Sequence, residues 1–93
     1  MEETLKRIQN QKDVEGVIII NLEGIPIRTT MDKSSTDEYA RLIPPLLLMG
    51  RNTVRNIDPT NDISFLRVQT SKREIMISLV KDFTMIVIQK STD

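Results

Sequence analysis

The chain has 93 residues, room for a single domain over 1–93. Its 13 Lys and Arg balance 13 Asp and Glu, which argues against a nucleic-acid binder and against a polybasic membrane anchor. Cysteine and histidine are both absent, so disulfides, zinc thiolates, thiol nucleophiles and any triad with a histidine base are excluded.

The opening carries Glu2 and Glu3 rather than a basic-then-apolar leader, and no apolar run approaches the roughly 20 residues of a membrane helix. The expectation is a soluble intracellular protein with no membrane insertion. A chain of this size buries only about two-thirds of its unfolded surface. Near-zero net charge offers little electrostatic resistance to association. Both properties favour completion of the core by a partner.

Met1, Leu5 and Ile8 share one helical stripe, while Glu2 with Lys6 and Glu3 with Arg7 are spaced four apart in the favourable order. This predicts a short amphipathic helix over Glu2 to Lys12. Val17 to Ile20 is a continuous β-branched run, as in a strand covered on both faces. Glu23 and Gly24 supply a turn. Ile25, Ile27 and Thr29 then alternate with Pro26, Arg28 and Thr30, which marks an edge strand. The two strands form a hairpin.

Ser35 and Glu38 fit a capping box, placing a helix start near Thr36. Tyr39, Ile43, Leu46, Leu47, Met49, Val54 and Ile57 then recur at helical spacing, and Leu42 and Leu48 widen the apolar surface beyond one stripe. Pro44 and Pro45 contradict a straight helix, because neither has an N–H for the carbonyls of Ala40 and Arg41. A kink is expected there, or two shorter helices with the prolines opening the second. Gly50 weakens the helix further.

Asp58 to Asn61 reads as a loop. Three strand-like segments follow: Ile63 to Thr70, Glu74 to Val80 and Phe83 to Gln89, joined by short polar links. The order is helix, hairpin, helix, three-strand meander. The first and last strands are the most uniformly apolar and belong in the centre. The expected fold class is α/β, more narrowly α+β: a five-stranded antiparallel sheet flanked by helices on both faces. Strand Ile25 to Thr30 forms one edge and Ile63 to Thr70 the other.

The residues offer little chemistry. Glu2 with Glu3 and Asp37 with Glu38 read as acidic residues at helix N-termini. Asp58, Asn61 and Asp62 lack the glycine and terminal glutamate of a calcium loop, so they read as loop caps. No Gly-rich phosphate loop is present. Neither catalytic residues nor a cofactor or metal site is expected. Arg51 with Arg55, and Lys72 with Arg73, read as solvated charges, the weaker alternative being a role in docking an acidic partner. Two surfaces carry an interaction signal. The helix surface Leu42 to Met49 exceeds what the sheet needs; either the remainder meets another chain, or a kink turns all of it into core. The edge Ile63 to Thr70 lacks proline; it either pairs with a second copy or is an ordinary edge guarded by Arg67.

Five strings carry a resemblance: EETLKRIQ at Glu2 to Gln9, EGIPIRTT at Glu23 to Thr30, TVRNIDPTNDISFLR at Thr53 to Arg67, EIMI at Glu74 to Ile77 and IVIQ at Ile86 to Gln89. In order and without large gaps, they resemble the dynein light chain roadblock family over nearly the whole chain. The resemblance implies a profilin-like roadblock fold that dimerises through the second helix and third strand into a ten-stranded sheet. It implies a non-catalytic dynein accessory light chain that binds the dynein intermediate chain and supports motor assembly, cargo linkage and microtubule-based movement. The implied setting is the cytoplasm and microtubule cytoskeleton, or the cilium and axoneme. By position, the implied contacts are Tyr39, Leu42, Ile43, Leu46, Leu47 and Met49, with Ile63, Phe65, Leu66, Arg67 and Val68. The chain departs from the family pattern at Pro44 and Pro45, which points to a divergent copy or to a heterodimer with another roadblock subunit. The alternative function is that of other roadblock-type domains: a scaffold or regulator of a small GTPase.

Overall fold

Val17, Ile18, Ile19 and Ile20 are all buried. Successive strand side chains point to opposite faces, so this run requires cover on both sides. The computed structural model, which describes residues 2–91 and only the backbone of Glu2, shows that cover. Helix α1 (Glu2–Gln9) precedes strands β1 (Val14–Asn21) and β2 (Pro26–Thr29). Helix α2 (Lys33–Ile57) follows, then β3 (Phe65–Gln69), β4 (Arg73–Val80) and β5 (Phe83–Lys90). The five strands form one sheet in the order β2-β1-β5-β4-β3, with every neighbouring pair antiparallel. This is the expected fold class and strand order.

The helices lie on opposite faces. Ile18, Ile20, Ile77, Ile86 and Ile88 face α2 and pack with Ile43, Tyr39, Ala40 and Leu47. Val17 and Ile19 face α1 and pack with Leu5, Ile8, Met85 and Val87. Each buried Ile contributes roughly 1.5–3 kcal/mol of transfer free energy. The covers are unequal. At about 1.5 Å per residue, the 25 residues of α2 run the length of the molecule, whereas α1 has only 8.

Several element ends differ from expectation. Helix α1 stops at Gln9, not Lys12. The Asn10 amide closes its last turn on the Lys6 carbonyl, and Asp13, at φ 71°, swings the chain into β1. Met1 and the Glu2 side chain, expected on the α1 stripe, in its Glu2–Lys6 pair and in the N-terminal acidic charge, lie outside the described residues. Helix α2 begins at Lys33, not near Thr36. The cap is Asp32, whose Oδ1 accepts from the Ser35 amide at 2.7 Å; a carboxylate suits the positive helix end better than the expected Ser35 hydroxyl. Thr36 is therefore inside the helix and buried, its hydroxyl 2.8 Å from that of Thr29.

The prolines do not divide α2, which runs unbroken through Pro44 and Pro45. Each interior proline costs about 3 kcal/mol. Packing on both sides of the pair offsets that cost, with Tyr39 and Ala40 before it and Leu47 after it held on the sheet. The β1–β2 turn closes on the same step. Gly24, at φ 82°, sets its backbone where an added Cβ would lie 3.7 Å from the Pro44 ring and 3.8 Å from the Ala40 carbonyl oxygen. The helix also continues through Gly50, over which Ile63 folds: an added Cβ there would lie 3.3 Å from Ile63 Cδ1.

Ile86→Ala, at the sheet centre, is expected to lower unfolding free energy by about 2–5 kcal/mol. Gly24→Ala, forced into left-handed geometry, is expected to cost about 1 kcal/mol. Urea denaturation followed by circular dichroism measures both.

Candidate partner interface

Helix periodicity sorts the residues of α2 into two adjoining stripes. Thr36, Tyr39, Ile43 and Leu47 face the sheet. Leu42, Leu46 and Met49, at i, i+4 and i+7, lie beside them and remain 51%, 40% and 68% exposed. Three large apolar side chains in one exposed line lack cover among the described residues. Ile43, also expected at the interface, is 5% exposed and sits in the sheet-facing stripe, packed in the core. Tyr39 and Leu47 are partly buried against the same core. Burial, first, raises the Tyr39 hydroxyl above its ordinary value, and Arg73 opposes this.

The β3 edge divides by face. Leu66 and Val68 pair with Ile77 and Ile75 on the α2 side. Phe65 and Arg67 pair with Ser78 and Met76 on the α1 side, where Phe65 stays 49% exposed. Among the described residues only β4 pairs with β3, so the outward backbone groups of β3 have no strand partner there. Arg67 Nη2 lies 2.7 Å from Glu74 Oε2, a carboxylate that also accepts from Gln89 Nε2 at 3.4 Å. Arg67 therefore neutralises a buried acid on the neighbouring strand besides standing at the edge.

Ile63 is not in β3 but in the loop before it, half-buried on α2 at Gly50. Arg51 and Arg55, expected as solvated charges, hold this loop. Arg51 Nε donates to Asp62 Oδ1 at 2.8 Å, and Arg55 Nη2 to Asp62 Oδ2 at 3.2 Å. Asp58 accepts from both the amide and the hydroxyl of Thr60. Hydrogen bonds lower both carboxyl groups: from Arg51 foremost for Asp62, and from the Thr60 hydroxyl foremost for Asp58. These carboxylates are engaged as loop caps. Arg73, also expected to be solvated, donates from Nε to Glu15 Oε1 at 2.8 Å. A bulge between Val14 and Gly16 accompanies Glu15; nothing in residue spacing announces a bond across 58 positions. Leu48, Leu22 and Ile25 are exposed apolar residues that the expected contact set omits.

Arg67→Ala leaves Glu74 buried beside one weak amide and is expected to cost about 1–2 kcal/mol, above the range for surface pairs. Asp32, Asp58 and Asp62 all titrate below the ordinary aspartate value of 3.8 when folded. Their stabilisation is complete above that value and lost as pH falls through the lowered folded-state values. Denaturation midpoints should therefore fall in acid below about pH 4, and Asp62→Asn should flatten part of that fall.

Among the described residues no helix is long and apolar enough to cross a membrane. A family model described as Roadblock/LC7 domain matches residues 1–90. The fold is similar to a Roadblock/LC7 domain from Streptomyces avermitilis, with TM-score 0.81 and 17% identity over 95% of this chain and 73% of that one. It is similar to MglB of Myxococcus xanthus, with TM-score 0.75 and 14% identity over 91% and 71%. MglC of the same organism gives TM-score 0.60 and 16% identity over 98% and 80%. With the family model spanning nearly its whole length, this chain belongs to the Roadblock/LC7 domain family.

Proposed function

We propose that this chain is a non-catalytic, dimeric roadblock subunit that holds a partner polypeptide by surface burial. The observation that carries this reading is the exposed Leu42–Leu46–Met49 line on α2 together with an unpaired β3 edge bearing Leu66 and Val68. Two copies meeting there join edge to edge and cover both apolar lines. A standard interface buries about 1,600 Å² in total, and the paired edges and two helices are the surfaces it would draw on. The expected contacts are Leu42, Leu46, Met49, Phe65, Leu66 and Val68, with Tyr39, Leu47 and Ile63 behind them and Arg67 at the rim.

Two partner classes follow from different observations. The similar structures come from Streptomyces and Myxococcus, bacteria, which have no dynein. They support the fold's use outside that motor and so favour a scaffold or regulator of a small GTPase. The strings from Glu2 to Gln89 support the second reading: a light chain on the dynein intermediate chain, in the cytoplasm on microtubules or in the axoneme, as a homodimer or with another roadblock subunit. In both readings the chain contributes contacts and no reacting group.

Light scattering at micromolar concentration should give twice the monomer mass for the wild type and the monomer mass for Leu46→Glu, with unchanged circular dichroism. A wild-type monomer sinks self-pairing. A binding assay with purified small GTPases, loaded with GDP or GTP, and with an intermediate-chain segment decides the partner class.

A further inference from the structure

When two identical chains pair about a two-fold axis, that one axis has to serve every element at the interface, because each copy presents the same surface to the other. The flank of α2 toward the β1–β2 hairpin carries Pro44 and Leu48. The opposite flank, toward β3, carries Leu42, Leu46 and Met49 and is centred on Leu46. Two contacts set how α2 runs past β3. Ile63, just before the strand, lies on α2 at Gly50. At the other end Tyr39 stands close enough to Arg73 for that guanidinium to act on its hydroxyl, and Arg73 bonds Thr70 just after the strand. From Gly50 back to Tyr39 is roughly 16 Å of helix, and from Ile63 to Thr70 roughly 23 Å of strand. Leu46, about one helical turn from Gly50, is therefore level with Phe65 and Leu66.

The backbone of β3 decides between these two positions. The Ser64 carbonyl accepts from the Leu79 amide and the Thr70 amide donates to the Arg73 carbonyl, both on β4. Even-numbered residues thus turn their backbone groups to β4, and Phe65, Arg67 and Gln69 turn theirs outward. An antiparallel copy must bring outward groups against outward groups. With the axis at Phe65, Arg67 would face Ile63, in a segment held to α2 through Asp62 by Arg51 and Arg55 rather than in a strand. With the axis at Arg67, two guanidinium groups would stand directly opposite and exposed Phe65 would face Gln69. With it at Leu66, Phe65 of each copy pairs with Arg67 of the other, and the ladder stays within β3 and Ser64. We infer that the two-fold axis of the dimer crosses β3 at Leu66 and α2 at Leu46. Leu66 lies on the α2 side of the sheet, so both leucines of both copies close over the axis on that face. On the other face, exposed Phe65 receives the stem and cation of Arg67 from the second copy. This rests on the self-pairing reading and adds its register. A different subunit can replace the second copy only if it too is apolar at both axis positions.

Because the chain has no cysteine, single cysteines in the full chain read the register by oxidative cross-linking. With the axis at Leu66, Leu66→Cys meets its own copy in a non-hydrogen-bonded pair, about 4.5 Å between Cα atoms and inside the disulfide range. Phe65→Cys and Arg67→Cys each meet their own copy only on the diagonal, at about 7–8 Å. Leu66→Cys should therefore link at least about tenfold faster than either. Phe65→Cys mixed with Arg67→Cys should give the linked mixed dimer, which reads the same register if Leu66→Cys disturbs folding. Faster linkage of Phe65→Cys, Arg67→Cys or Val68→Cys alone overturns the inference and leaves self-pairing standing. No linkage at any of these positions, in chains of dimer mass by light scattering, takes the contact off β3 and also overturns it. A wild-type chain of monomer mass overturns the self-pairing reading itself and this inference with it.

Discussion

The structure depends on a demand made at the centre of the sheet. Strands β1 and β5 place apolar side chains on both faces, and Val17, Ile18, Ile86 and Ile88 have no exposed surface. Neither face can be left to water, so a helix must lie on each. The chain meets this demand unevenly. One helix of 25 residues spans the α2 side, and one of 8 covers only part of the other. A helix as long as α2 offers more apolar surface than a five-stranded sheet of this width absorbs, and the excess lies on its flanks.

That excess separates what the residues foretell from what they conceal. The order β2-β1-β5-β4-β3 follows from two facts in the sequence: which runs are apolar without interruption, and where Pro26 forbids a central place. A capping box at Ser35 and Glu38 competes with a stronger cap three residues earlier, which is why spacing alone points to Thr36. Asp32 closes that end with a charged acceptor. The unbroken path through Pro44 and Pro45 was hidden because local cost is legible and tertiary packing is not: the residues that hold this step include isoleucines on strands far away in the chain.

The exposed apolar surface of α2 is legible in the sequence as a whole and blurred at the level of single residues. Exposed Leu42, Leu46 and Met49 stand where the width of the apolar stripe put them. Ile43 does not, since a widened stripe cannot say which member faces inward until the sheet's position is known. The ion pairs were less visible still. Asp62 gathers two arginines one turn apart, and Glu15 meets Arg73 across the sheet. Both arrangements depend on chain reversals that spacing does not record.

One contact near the start of β1 has an evolutionary corollary. Gly16 is buried, and the Met31 side chain lies over its bare backbone in the space a Cβ would fill. A relative that carries alanine or a larger residue at the first position therefore needs a shorter or rerouted side chain at the second. The two positions form a compensating pair, and the family's descendants should exchange them together rather than singly.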